Sequence, residues 1–208
     1  MTTGTRMVRL HGIVAVLLAG LIGCDKATDV APGLPEQPTV DSQSEQIGGS
    51  AMSMTIESPA FANNESIPAR YTDDGANVSP ELKWSGLPDG AKELALICDD
   101  PDTPSPQPWV HWVIYKIPPD TRGLPQDVAR RERLTEPAGA LQGKNSWKSI
   151  GYRGPAPPPG HGVHHYHFKL YALDTALDVK PGLDKAALLK AMQHHIRAQG
   201  ELVGTYQR

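Results

Sequence analysis

Residues 109–117 read WVHWVIYKI, a run crowded with aromatic and β-branched side chains and free of glycine and proline. Such side chains suit a pleated, half-buried surface, so the run is expected to be a β-strand. Period-two alternation places Trp109, His111, Val113 and Tyr115 on one face and Val110, Trp112, Ile114 and Lys116 on the other. Just upstream, residues 93–98 (ELALIC) form a second strand candidate, whose apolar core runs from Leu94 to Cys98. Downstream, residues 165–173 repeat the pattern, with Tyr166, Phe168, Leu170 and Ala172 opposed to His167, Lys169, Tyr171 and Leu173.

Working outward, Met54–Ser58 reads as a first strand. Leu82 and Trp84 alternate between proline and glycine breakers in NVSPELKWSGLP, residues 77–88, as in a short half-buried strand. One helix is predicted over Asp184–Ala198, where Leu188, Leu189, Met192, His195 and Ile196 recur at helical spacing and Gly200 follows as a stop signal. Glu201–Tyr206 is expected to return to the sheet as a closing strand. Glycine and proline number 20 each among 208 residues, well above ordinary usage. Strands joined by such turns, with one late helix, predict a mostly β fold, a β-sandwich with a peripheral C-terminal helix.

The N-terminal segment stands apart. Arg6 and Arg9 precede an apolar run, Ile13–Ile22, too short to span a bilayer comfortably, and Leu21-Ile22-Gly23-Cys24 resembles a bacterial lipobox. Residues 1–23 are therefore expected to be a lipoprotein signal peptide, with Cys24 the lipidated first residue of the mature chain. Residues 24–51 are polar, proline-bearing and without hydrophobic period, as in a flexible tether. The folded domain is assigned to residues 52–208. This arrangement predicts a domain held by lipid in a bacterial cell envelope, on its periplasmic or other extracytoplasmic face. Cys98 is the other cysteine and lies in an apolar run, so it is expected to be a small core residue. A formal charge of −3 and a pI near 6.2 provide no basic field for nucleic acid.

Chemistry-bearing residues gather at three places. Asp100 and Asp102 sit in Asp100-Pro101-Asp102-Thr103-Pro104, just past the buried run, where carboxylates accept backbone N–H bonds. His111 lies between two tryptophans; beside a carboxylate it is held as one tautomer or as a cation able to donate to an anion. The third place is GYRGPAPPPGHGVHHY, residues 151–166, where Gly151, Gly154, Gly160 and Gly162 allow close approach and four prolines stiffen the loop. Such a loop is expected to offer fixed backbone donors to phosphate or carboxylate. After it, His164 and Tyr166 fall on one strand face and His165 and His167 on the other. The histidines are therefore not expected to converge on a metal, and no metal or cofactor is predicted.

These motifs, with residues 77–88 and the closing AMQHHIRAQGELVGTYQR, resemble the phosphatidylethanolamine-binding protein family in its bacterial Raf-kinase-inhibitor-like branch. The resemblance covers roughly Met54–Arg208. It implies a β-sandwich with a small pocket for phosphate-like anions or a phospholipid head group. By motif position, Asp100, Asp102 and Pro104 form one wall, Trp109 and His111 another, and Gly154, Pro155, Pro157 and Pro158 with His164 and Tyr166 the third. Two departures stand out: His165 replaces an arginine common in relatives, and Ala156 a cysteine common in the branch. The reading is a binding protein rather than an enzyme, because no activated serine or cysteine nucleophile is evident. Alternatives are inhibition of a protease or kinase through the pocket rim, and phosphoester hydrolysis by Asp, His and Tyr acting as acid and base.

Overall fold

The structure, a computed structural model, describes residues 52–208. The expected signal peptide, the tether and Cys24 lie outside the described residues. In chain order the elements are β1 (Met52–Ser53), β2 (Thr55–Glu57), β3 (Glu65–Ser66), β4 (Leu82–Ser85), β5 (Glu93–Asp100), β6 (Trp109–Ile117), β7 (Gly123–Leu124), β8 (Leu141–Gln142), β9 (His164–Leu173), α1 (Lys185–Met192) and β10 (Ile196–Tyr206). The large sheet runs β1-β10-β9-β5-β6-β8, with β3 also pairing to β10, and the small sheet runs β2-β4-β7. From β10 to β8 every pair is antiparallel, whereas β1 and β3 join β10 in parallel. This is the mostly β architecture that the sequence predicts.

The two sheets enclose one apolar layer. Ile56, Leu82, Trp84 and Leu124 of the small sheet meet Leu94, Leu96, Cys98, Trp112, Ile114, Phe168 and Leu170 of the large one. A second layer forms on the outer side of the large sheet, where Leu188 and Met192 of α1 cover Ala95, Ile97, Val113 and Tyr115. Strand β5 is thus covered on both faces and all eight of its residues are buried. That is why residues 94–98 read as a continuous apolar run instead of alternating. Cys98 is a core residue as expected, and burial pushes its thiol well up, so it stays protonated.

Strand alternation is obeyed in β9, where Tyr166, Phe168, Leu170 and Ala172 are buried and His167, Lys169 and Tyr171 are half-buried. In β6 it is broken. Consecutive residues Cys98 and Asp99 pair with Trp112 and Val110, so His111 is an extra residue in β6, a β-bulge. A second irregularity lies near Lys116, whose φ is 55°. The faces consequently slip: Trp112 and Ile114 enter the inter-sheet core, while Val110, Val113 and Tyr115 face the helix. The expected grouping of His111 with Val113 and Tyr115 is corrected, because the bulge turns the pattern over between them.

The helix is also shorter than predicted. Asp184 caps it by accepting the Ala187 N–H at 2.9 Å, but it ends at Met192. Gln193 turns extended and His194 adopts φ 69°. From Ile196 the chain is already strand, with Ala198, Gly200, Leu202 and Gly204 buried in alternation. Pairing along β9 satisfies the backbone of residues 196–206 and buries these small residues, an arrangement that a longer helix excludes. Gly200, read as a helix stop, lies inside β10, where a Cβ would come within 2.5 Å of the Met54 carbonyl oxygen. His194 and His195, inside the predicted helix, lie in the turn, and His195 Nδ1 bonds Asp174 at 2.9 Å.

Candidate functional site

Because β5 runs antiparallel to β6 and β9, the last residue of β5 lies beside the first residues of its two neighbours. Asp100, Trp109, His164 and Tyr166 therefore meet at one end of the large sheet, and the bulge adds His111. Together with Thr103, Pro104, Trp147, Ala156, Pro157 and Pro158 they line a cavity of about 270 Å³. That volume lies just under the range typical of drug-sized ligands. A larger depression of about 690 Å³ covers the outer face of the small sheet, but its walls include the exposed Thr55, Glu57, Lys83 and Ser85, a solvated surface.

A line of hydrogen bonds crosses the pocket floor. Asp100, 2% exposed, accepts the Asp102 N–H at 2.9 Å, and its other oxygen accepts from His164 Nδ1 at 2.7 Å. His164 Nε2 lies 2.9 Å from Nδ1 of the exposed His161. His111 Nδ1 is 2.6 Å from the Arg153 carbonyl oxygen, which can only accept, so this nitrogen carries the proton and Nε2 presents a lone pair. The His111 ring packs edge-on against Trp147 and Tyr166, with centroids 5.1 and 5.0 Å away. Two hydroxyls, on Thr103 and Tyr166, are buried without a hydrogen bond of normal geometry, although the Asp100 carboxylate lies near enough to the Tyr166 phenol to act on it as an acceptor. Buried polar atoms are normally paired, so these two hydroxyls in the lining of one cavity stand out.

Electrostatically the pocket contains no lysine or arginine. The Arg153 guanidinium stacks on Trp147 at 4.5 Å, and its Nε is 3.5 Å from an Asp73 oxygen. Burial, reinforced by the Asp100 charge, pushes the Tyr166 phenol well up, so it remains an O–H donor. Burial lowers the His111 pKa from 6.5 to about 4, against the opposing pull of the Arg153 carbonyl and Asp100. Since the folded value lies below the unfolded one, this histidine contributes stability that is complete above pH 6.5 and lost as pH falls toward 4. The loss amounts to about 3 kcal/mol. Urea unfolding at pH 7.5 and pH 4 should show this decline in the wild-type chain and a flatter one in His111→Gln. Parallel curves for the two proteins would contradict the assignment.

Of the residues picked out from sequence, Asp100, Pro104, Trp109, His111, Pro157, Pro158, His164 and Tyr166 line the cavity. Asp102, Gly154 and Pro155 do not. Asp102 turns outward, accepting the His165 N–H at 2.8 Å and bonding His165 Nδ1 at 2.7 Å. Gly154 is structural: its N–H donates to Asn77 Oδ1 at 2.8 Å, and a Cβ there would come within 2.2 Å of the Tyr71 carbonyl oxygen. The Pro155 carbonyl accepts from Asp73 N–H at 2.9 Å. The expected row of loop donors is reduced as well. The N–H groups of Arg153, Gly160 and His161 bond other carbonyls and the prolines have none, which leaves the Ala156 N–H without a partner among the described residues.

Thr103 and Trp147 line the cavity as well, beyond the expected set, and Ala156 joins them from within the expected Gly154–Pro158 wall. Trp147 arrives because Ser146 pairs with Val110 through its backbone and hydroxyl, at 2.9 and 2.8 Å, while Asn145 Oδ1 accepts the Trp147 and Ser149 N–H groups. An isolated tryptophan in the polar segment KNSWKS was the available signal. Thr103 stood inside the quoted DPDTP motif.

A two-sheet β domain with a small pocket at the end of its central strands is a binding domain in architecture. The chain belongs to the phosphatidylethanolamine-binding protein family, whose profile matches residues 57–207. A UPF0098 protein of Methanothermobacter thermautotrophicus is 52% identical over 155 residues, covering 74% of this chain and 99% of that one. A Mycobacterium tuberculosis protein named as a lipoprotein, LppC, is 37% identical over 195 residues and covers 92% of each chain. Among solved structures, Escherichia coli YbcL aligns with TM-score 0.70 at 32% identity, covering 74% of this chain and 98% of its own. The Chlamydia trachomatis homolog CT736 aligns with TM-score 0.67 at 38% identity, covering 75% and 98%.

Proposed function

We propose that the domain is a binding protein whose pocket, formed by Asp100, Thr103, Trp109, His111, Trp147, His164 and Tyr166, holds a phosphate-like head group. The observation that carries this reading is the pair of buried hydroxyls on Thr103 and Tyr166, neither with a hydrogen bond of normal geometry, on two residues that line the same cavity. A phosphate oxygen supplies the missing acceptor for both. Hydrolysis is disfavoured by the same chemistry, since the hydroxyls of the lining are a threonine and a phenol held protonated. The lipobox-like sequence before Cys24, together with the relative named as a lipoprotein, supports a domain tethered by lipid to an envelope membrane.

Isothermal calorimetry of the purified chain with inorganic phosphate and phosphoethanolamine tests the pocket. Heat is expected from the wild type and should vanish in the His111→Ala, His164→Ala double variant, with circular dichroism confirming that the variant remains folded. Absence of heat from the wild type across a broad anion panel would sink the reading.

A further inference from the structure

Four histidines of the domain are paired to a carboxylate through Nδ1: His164 to Asp100, His165 to Asp102, His167 to Glu201 and His195 to Asp174, at distances between 2.7 and 2.9 Å. A neutral ring held in this way keeps its proton on Nδ1 and carries a lone pair on Nε2, the form in which histidine ligates metals. Among the described residues, only His164 brings that second nitrogen to another imidazole. His161 Nδ1 lies 2.9 Å from it, with the ring centroids 5.1 Å apart and the planes inclined at 52°. Strand alternation turns His165 and His167 away from His164, as the sequence predicts. His161 escapes that rule because it lies in the turn before β9, where its N–H donates to the Pro158 carbonyl at 3.2 Å. The pair joins a buried ring, His164 at 1% exposure, to one that faces solvent.

We propose that His161 Nδ1 and His164 Nε2 together bind one divalent transition-metal ion of the zinc, copper or nickel class, beside the cavity that His164 lines. Without metal, a single proton between the two nitrogens holds the rings together. The ion takes the place of that proton, which moves to His161 Nε2. A pair of imidazoles suits such ions, whereas magnesium and calcium take oxygen ligands. Tetrahedral bonds of about 2.1 Å set two nitrogens about 3.4 Å apart, so the rings must part by about 0.5 Å. His161 has that freedom, on an exposed turn between Gly160 and Gly162, whose φ values are 75° and 93°. Asp100 accepts from His164 Nδ1 at 2.7 Å and is itself fixed by the Asp102 N–H at 2.9 Å. It is the supporting carboxylate that orients the ligating ring and raises its basicity. The surrounding charges do not oppose a cation. No lysine or arginine lines the cavity, and the Arg208 guanidinium, 3.5 Å from the Pro157 carbonyl, is paired with Asp74 at 2.7 Å. Among the described residues no three His, Cys, Asp or Glu side chains converge, so the protein supplies two ligands and the other positions are open to water or to an anion's oxygen.

The test is isothermal calorimetry of the purified full chain, made without a histidine tag, with zinc chloride and with magnesium chloride. One zinc ion per chain is expected, with no heat from magnesium. His161→Ala changes an exposed side chain and spares the core, so it should fold and should weaken zinc binding at least about tenfold. Asp100→Asn keeps both ligands but weakens the support behind His164, and it too should cost about tenfold. Should that variant fail to fold, His161→Gln provides a second change at the exposed ring, with the same expected loss. Replacing His165 and His167 together by alanine should leave the zinc affinity unchanged, because those rings face the other side of β9. X-ray absorption at the zinc edge should show two imidazoles completed by oxygen ligands. The proposal is overturned by the absence of zinc heat from the wild type, by undiminished binding in His161→Ala, or by a spectrum with a single imidazole. Loss of zinc from the His165, His167 double variant would move the ion to the outer face of the sheet and overturn it equally.

Discussion

Asp100→Ala is expected to abolish head-group binding and to lower the unfolding free energy by about 3 kcal/mol. The carboxylate is almost completely buried and joins two elements, accepting from the Asp102 backbone in the following turn and from His164 at the start of β9. Truncation leaves the His164 ring, itself 1% exposed, with a buried donor and no partner. Losing one member of such a pair costs far more than the pair contributes net, because the survivor remains desolvated. The measurement is a urea titration at pH 7, where the midpoint should fall with little change in slope. Asp100→Asn keeps the shape and an acceptor oxygen, so its loss should be clearly smaller. If both variants lie within about 0.5 kcal/mol of the wild type, the level of an inert surface substitution, the Asp100–His164 contact has no structural role.

Trp112→Ala should be more damaging, at about 4–5 kcal/mol. Trp112 is 0% exposed in the inter-sheet core and meets Tyr152 edge-on, with centroids 5.6 Å apart. Its indole N–H donates to Gln142 Oε1 at 2.7 Å, and the Gln142 amide in turn donates to the carbonyls of Ala129 and Arg131 at 2.7 and 2.8 Å. Alanine thus creates a cavity and strands a buried amide oxygen at the same time. Trp112→Phe refills most of the volume but not the hydrogen bond, so the difference between the two variants separates packing from the polar network. Equal losses would show that the Gln142 contact matters and the cavity does not. Both variants should be compared by chemical denaturation, with attention to whether the alanine variant folds at 37 °C.

What could be read from the chain was whatever repeats at short range. The alternation of β9, the half-buried strand carrying Leu82 and Trp84, the continuous apolar run of β5 and a helix starting at Asp184 are local patterns, and the structure keeps each of them. The structure departs from these patterns where a distant partner intervenes. Leu189, His195 and Ile196 fit helical spacing and predict a helix longer than the observed one, while residues 196–200 fit strand spacing just as well. Pairing with β9, more than twenty residues away, decided between them. The faces of β6 depart from simple alternation after His111 because a bulge is a relation between two strands and leaves no mark in one.

The site divides along the same line. The amino-acid sequence by itself determined the family, the mostly β class and eight of the residues that line the cavity, because the DPDTP, WVHW and GPAPPPGHGVHHY segments carry their chemistry in short spacings. Only the tertiary structure decided that Asp102 and Gly154 serve the scaffold and that Trp147 joins the wall. It also decided that His111 offers a lone pair. Each of these depends on a partner remote in sequence: His165 for Asp102, Asn77 and Tyr71 for Gly154, Val110 for the turn bearing Trp147, and the Arg153 carbonyl for His111. A side chain's type sets which hydrogen bonds it can make, but the fold sets which are already taken, and the ligand is left with the remainder.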